Sequence, residues 1–249
     1  MNRYAPIIDI SLDLEDLAMR VAIWLSARIV AAPSPFALNL SGGSTPKRVY
    51  ELLASPAFQN YIDWNKVHLF WGDERCVPFT HADSNYRMVH DALIAHVPIP
   101  PGNVHPFPVE SGSPEKAACL YQEQLQAYYG ATQLDPARPL FDVTLLGLGA
   151  DGHTASLFPH TAALDEREKW TTSIVGVKPE PRLSMTYPAL ESSATILFLV
   201  AGAEKRDALA RVLAKDPSLP AARIQPDAPV LWYIDQAAAA PTQEPVKTI

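Results

Sequence analysis

The sequence predicts an α/β fold built on a largely parallel sheet, and three observations carry that prediction. Short apolar runs recur along the chain, such as Phe36 to Leu40, Val67 to Trp71 and Thr195 to Val200, each suited to a strand covered on both faces. Stretches with apolar residues at helical spacing alternate with these runs, the alternation of a parallel sheet with crossover helices. Three of the runs end abruptly in glycines mixed with charged or hydroxyl residues, and strands of open α/β sheets meet their ligands at such carboxyl ends.

Ile7 to Ile10 is the opening strand. Asp13 to Val30 follows as an amphipathic helix, with Leu14, Leu17, Val21, Leu25 and Ile29 on one face and Asp13, Glu15 and Asp16 at the positive end of its dipole. Pro33 and Pro35 end that helix, and Phe36 to Leu40 leads into Ser41-Gly42-Gly43-Ser44-Thr45-Pro46. Pro46 suits the first position of a helix running to about Leu53, where its missing N–H has no partner to lose. A strand, a small polar turn and a helix in succession gather backbone N–H groups at one spot, which serves either to bind phosphate or simply to cap the helix through Ser44 and Thr45. The segment is not a Walker loop.

Val67 to Trp71 ends in Gly72-Asp73-Glu74-Arg75, three charges at a strand exit where a site is expected. Pro78 to Asp83 reads as loop, Ser84 to Val97 as helix, and the Pro- and Gly-rich Pro98 to Pro114 as irregular connection. Pro114 to Tyr129 is helical and stops at Gly130. Phe141 to Pro159 then carries a buried strand, Val143 to Leu146, into a turn containing Gly147, Gly149, Asp151, Gly152 and His153. Thr172 to Val177 reads as a strand, Lys178 to Thr186 as a rigid segment aiming Arg182, Thr195 to Val200 as a strand and Gly202 to Leu213 as a helix. Lys205 in the first turn opposes the dipole preference, and a phosphate nearby would account for it. Val230 to Ile234 is the last strand, so residues 1–236 make one domain and Ala237 to Ile249 a frayed tail.

Composition excludes several classes of function. With 249 residues and 48% hydrophobic content the chain can bury a large core, while a net charge of −7 argues against nucleic acid as a partner. No run is long enough to span a bilayer, the first residues lack a secretion signature, and two cysteines make no disulfide framework. The expectation is a soluble, cytoplasmic protein, monomeric or weakly self-associating.

Gly147-Leu-Gly-Ala-Asp-Gly152 matches the dinucleotide fingerprint, but Pro159 curtails the helix and no acid follows at the strand end that would hold a ribose, so a nicotinamide cofactor is discounted. His153 is the natural general base, since an imidazole accepts a proton near neutrality. The six other histidines lie in strands, helices or loops without such a setting, and no metal-ligand spacing or serine nucleophile elbow occurs.

Taken together, Ser41 to Pro46, Trp71-Gly-Asp-Glu-Arg-Cys-Val-Pro78, Ser84-Asn85, Gly147 to Pro159, Arg182 and Lys205 closely resemble the 6-phosphogluconolactonases over nearly the whole chain. The resemblance implies a Rossmann-like sheet with helices on both faces and hydrolysis of 6-phosphoglucono-1,5-lactone in the oxidative pentose phosphate pathway without a metal or other cofactor. It implies His153 as base, Asp151 as its orienting partner and Asp73 as a second polar anchor. Gly42, Gly43, Ser44 and Thr45 would receive the phosphate beneath Arg182 and Lys205, and Arg75 would either steady developing oxygen charge or hold the sugar. Related sugar-phosphate isomerases and deaminases usually carry a glutamate five residues after this histidine, where Phe158 stands here, which favours hydrolysis. A non-catalytic sugar-phosphate sensor is the third reading; such sensors come joined to a basic DNA-binding segment, and none precedes the first strand.

Overall fold

Apolar runs pair into strands because their backbone groups need partners once the side chains leave water. The computed structural model describes residues 5–33 and 35–239. Seven strands form one parallel sheet: β1 (Ile7–Ser11), β2 (Phe36–Leu40), β3 (Val67–Trp71), β5 (Val104–His105), β6 (Val143–Gly147), β9 (Ile196–Val200) and β10 (Val230–Asp235), in the order β1-β10-β9-β6-β2-β3-β5. Every residue of β2 and β9 is buried, as strands covered on both faces must be. The helices are α1 (Leu14–Ala31), α2 (Ser44–Leu53), α3 (Pro56–Gln59), α4 (Asn85–Ala92), α5 (Pro114–Tyr129), α6 (Tyr187–Glu191) and α7 (Arg206–Leu213). Side chains such as Leu17, Leu25, Phe70, Phe141 and Phe198 are wholly buried, each stabilising the fold by roughly 1.5–3 kcal/mol.

The sequence reading missed a second sheet. Asp73–Arg75, expected as a charged strand exit carrying a site, is strand β4, and it pairs antiparallel with β8 (Arg182–Met185), which pairs with β7 (Thr171–Ile174). Gly72 is the joint: its N–H donates to Leu40 in the large sheet and its carbonyl accepts from Met185 in the small one. β7 is shorter than expected because Gly176, at φ +82°, turns the chain back.

Other boundaries move for local reasons. α2 begins at Ser44, two residues before Pro46, which keeps its place within the first turn. The expected helix to Val97 stops at Ala92 and gives way to the 3₁₀ turn Ile94–His96, and Val97 is extended as a residue before proline must be. The expected irregular stretch after Pro98 contributes β5 to the sheet edge. The expected frayed tail is corrected at its start: Ala238 is fully buried, and the N–H groups of Ala238 and Ala239 bond the carbonyl of Asp235, whereas residues 240–249 lie outside the described residues.

At the β3–β5 edge, His68 Nδ1 lies 3.1 Å from His105 Nε2 with the two rings stacked. Burial holds both imidazoles below the ordinary histidine range, and for His105, with the charge of His68 adding to burial, the value is about 4. The unfolded chain therefore takes up protons below pH ~6.5 while the native pair does not, so this contribution is complete above that pH and is lost as pH falls toward the native value. Between about pH 7 and about pH 5 the wild type should lose roughly 2–4 °C more in melting temperature than His105→Gln, the shift that about 1 kcal/mol makes in a chain of this size.

Candidate active site

In an open parallel sheet a crevice forms where successive strands depart in opposite directions. Here β2 leads outward through β3 to β5, and its neighbour β6 leads the other way through β9 and β10 to β1. A cavity of about 200 Å³ opens at their carboxyl ends, lined by Ser41, Gly42 and Gly43 after β2, by Gly147, Leu148 and Gly149 after β6, and by Asp73, Arg75, Asn85, His153, Ala155 and Lys205. A larger cavity of about 460 Å³ lies at the opposite ends of the strands, between Pro139, Ala194 and Pro229, away from every glycine turn.

The turn after β6 closes on itself. The Gly149 N–H donates to His153 O at 2.8 Å and the Gly152 N–H to Gly149 O at 2.9 Å, with Gly152 at φ +80°. Asp151 Oδ1 accepts the His153 backbone N–H at 3.1 Å and stands 2.5 Å from His153 Nδ1. Burial pushes the Asp151 carboxyl up, but the His153 hydrogen bonds outweigh it and hold it below the usual carboxylate range. An ionised Asp151 makes Nδ1 a donor and leaves Nε2 as the acceptor. A Cβ on Gly149 would collide with His153 Nδ1 and come within 2.6 Å of Asp151 Oδ1, so the pair requires glycine there. The Phe158 ring packs 4.7 Å from the imidazole, and Lys178 lies 5.1 Å over Phe158.

β4 supplies the facing wall. Asp73 is buried, with Oδ2 accepting from Ser156 Oγ at 2.6 Å and its backbone carbonyl from Asn85 Nδ2 at 2.9 Å. Glu74 turns away and caps α4, accepting the N–H groups of Asn85 and Tyr86 at 2.7 Å each; burial nevertheless raises its pKa. Arg75 faces the cavity, with Nη1 donating to Asp83 O at 2.5 Å.

The turn after β2 is held from beneath by Tyr50, whose hydroxyl donates to Ser41 O at 2.8 Å and accepts from Ser41 N. Gly43 adopts φ +107°, and a Cβ on Gly42 would collide with Asn85. Lys205 enters from the 3₁₀ turn Ala203–Lys205, which Asp235 fixes by accepting the Gly202 N–H at 3.1 Å.

Of the expected residues, Gly42, Gly43, Asp73, Arg75, His153 and Lys205 share the cavity, and Asp151 stands directly behind His153. Ser44, exposed, and Thr45, buried, lie in the first turn of α2 outside the lining. Arg182 is also outside it: it pairs with Arg75 across β4 and β8, 14% exposed, and burial together with the Arg75 charge lowers its pKa. Its Nη1 is buried without a hydrogen-bond partner among the described residues. Sequence reasoning placed Ser41 only at the start of the phosphate turn and quoted Ala155 and Ser156 only within the Gly147 to Pro159 motif. Asn85 was quoted only as part of a motif, and its place against Gly42 and Asp73 comes from tertiary contact. Among the described residues no three His, Cys, Asp or Glu side chains come together as a metal-binding group. No helix among them is long and apolar enough to cross a membrane.

Residues 12–232 match the family described as glucosamine-6-phosphate isomerases/6-phosphogluconolactonase. The chain is 42% identical over 242 residues to 6-phosphogluconolactonase of Synechocystis sp., covering 94% of this chain and 97% of that one. It is 44% identical over 210 residues to 6-phosphogluconolactonase of Nostoc sp., covering 82% and 84%. The solved 6-phosphogluconolactonase of Trypanosoma brucei superposes with a TM-score of 0.81 at 29% identity, covering 94% of this chain and 98% of that one. With its glycine turns, its His153–Asp151 pair and a match spanning nearly its whole length, the chain belongs to the glucosamine-6-phosphate isomerase/6-phosphogluconolactonase family.

Proposed function

We propose that the chain hydrolyses 6-phospho-D-glucono-1,5-lactone to 6-phospho-D-gluconate in the oxidative pentose phosphate pathway, with His153 as the base. The observation that carries this reading is the convergence of one oriented imidazole and one lysine on a single small cavity floored by two glycine turns. His153 Nε2 takes a proton from water as the oxygen attacks the lactone carbonyl, and Asp151 steadies the imidazolium. The tetrahedral intermediate then collapses by breaking the bond to the ring oxygen, which receives the proton back from Nε2. Arg75 and backbone N–H groups of the turns supply donors for the developing oxyanion. Asp73, fixed by Ser156 and Asn85, anchors a sugar hydroxyl.

The unreacting phosphate sits on the Gly42–Gly43 turn at the N-terminus of α2, where the helix dipole favours anions, with Lys205 opposite. Arg182 adds charge from behind Arg75, and two guanidiniums side by side favour a bound anion. The 6-phosphate is thus the handle by which binding energy places the carbonyl over the base. Lys205→Ala should raise KM for the phosphorylated lactone by roughly 10–100-fold, the worth of one charge-assisted hydrogen bond, with kcat nearly unchanged. Arg182→Ala should act in the same direction but less. A fall in kcat with KM unchanged would instead place Lys205 at the reacting carbonyl.

The rival deaminase or isomerase reading is disfavoured by Phe158, an apolar ring against His153 where ring-opening chemistry uses a carboxylate. A site that only sensed the sugar phosphate would have no use for an aspartate that orients the imidazole of His153. The partner in this reading is a small-molecule sugar-phosphate lactone met in the cytoplasm by a monomer or weak homo-oligomer, rather than a nucleic acid or a membrane.

A further inference from the structure

A peptide group is planar and trans, so its carbonyl and its N–H point opposite ways, and fixing one aims the other. At the end of β2 that rule decides where the donors of the turn face. The Leu40 carbonyl accepts from the Gly72 N–H on the β3 side, so the Ser41 N–H points the other way, to the hydroxyl of Tyr50 at 3.1 Å. The Ser41 carbonyl accepts from the same hydroxyl at 2.8 Å. Tyr50 lies on α2, so the helix braces the turn from which it starts. Its side chain is wholly buried, and burial pushes the phenol far above its ordinary range, so the hydroxyl keeps its proton and can donate and accept at once. Phenylalanine in its place would leave two buried backbone groups without a partner.

We propose that Tyr50 is a positioning residue for the substrate: by holding the Ser41 carbonyl inward it aims the Gly42 N–H into the cavity as a donor to the phosphate. The inference rests on the reading of the Gly42–Gly43 turn as the phosphate site. With the Ser41 carbonyl on Tyr50, the Gly42 N–H returns to the β3 side, where Asp73, Arg75 and Asn85 line the cavity. The turn needs such a brace because of its own sequence. Gly42 and Gly43 carry no Cβ to limit their backbone angles, and Gly43 already stands at φ +107°, so an untied Ser41–Gly42 peptide could rotate and carry its N–H away from the ligand. Anions bind helix N-termini through N–H groups that already face them, and a hydrogen bond weakens steeply as its donor turns aside. Tyr50 thus fixes before binding what the phosphate would otherwise have to order.

Steady-state kinetics on 6-phosphoglucono-1,5-lactone with Tyr50→Phe, Tyr129→Phe and Lys205→Ala, alongside melting curves, test this. Tyr129 is the matched control: it too is buried, and its hydroxyl donates to Arg138 O at 2.7 Å and accepts from the Asp135 N–H at 2.9 Å, beside the cavity at the opposite ends of the strands. Both phenylalanines keep the ring that fills the core, so both variants should fold and melt a few degrees lower. Tyr50→Phe should raise KM roughly tenfold, the worth of one hydrogen bond to a charged group, with kcat within about twofold of wild type. Tyr129→Phe should leave both constants unchanged. A KM raised by Lys205→Ala but not by Tyr50→Phe overturns this proposal alone, whereas a KM raised by neither overturns the phosphate reading with it. Equal rises in KM for the two phenylalanine variants would reduce Tyr50 to a structural residue, and a fall in kcat with KM unmoved would place it behind the reacting carbonyl; either result also overturns the proposal.

Discussion

His153→Ala should lower kcat for the phosphorylated lactone by roughly 10²–10⁴-fold, the contribution of a positioned general base, while KM changes little. The imidazole is held at Nδ1 by Asp151 and packed by Phe158, so its loss removes the proton acceptor without disturbing the phosphate end of the cavity. Initial rates corrected for spontaneous hydrolysis, with KM measured separately, decide the matter. Retained turnover would move the base elsewhere, to Asp73 first, since its carboxylate lines the same cavity.

Gly149→Ala should be nearly as damaging to turnover, although a methyl group is all it adds. The new Cβ would occupy the space of His153 Nδ1 and crowd Asp151 Oδ1 at 2.6 Å, so the imidazole must swing away from its partner. Such a ring can move, which limits the stability cost to about 1–3 kcal/mol, the range for overpacking. A folded enzyme with a modestly lowered melting temperature and a loss of kcat approaching that of His153→Ala is the expected result. Gly102→Ala, where no atom lies within 4 Å of an added Cβ, serves as the silent control. Full activity in Gly149→Ala would mean that the contact between His153 and Asp151 is not needed for catalysis.

The large sheet was legible because its strands are continuous apolar runs, and six of its seven were placed within a residue or two. β5 was not, since two residues after a Pro-Gly stretch carry no periodicity. The small sheet was missed for a related reason: Asp73–Arg75 and Arg182–Met185 are polar enough to read as loops, and only their mutual pairing makes them strands. The site was legible where chemistry sits in one stretch, as with Asp151 and His153 two residues apart. It was not legible where contacts cross the chain. Ser156 reaches Asp73 over 83 residues of sequence, and Asn85 packs on Gly42 from another helix. Arg182 illustrates the limit in the other direction: its charge marked it, but its strand register places it beside Arg75 and outside the cavity lining.

The central claim is that this cavity performs lactone hydrolysis on a phosphorylated sugar. The most direct test is to follow 6-phosphoglucono-1,5-lactone with purified protein at a pH where spontaneous opening is slow, with glucosamine 6-phosphate offered in parallel. Accelerated, saturable lactone hydrolysis without ammonia release is the predicted result. Ammonia release at a comparable rate, or tight binding of 6-phosphogluconate with the spontaneous rate of lactone opening left unchanged, would contradict it.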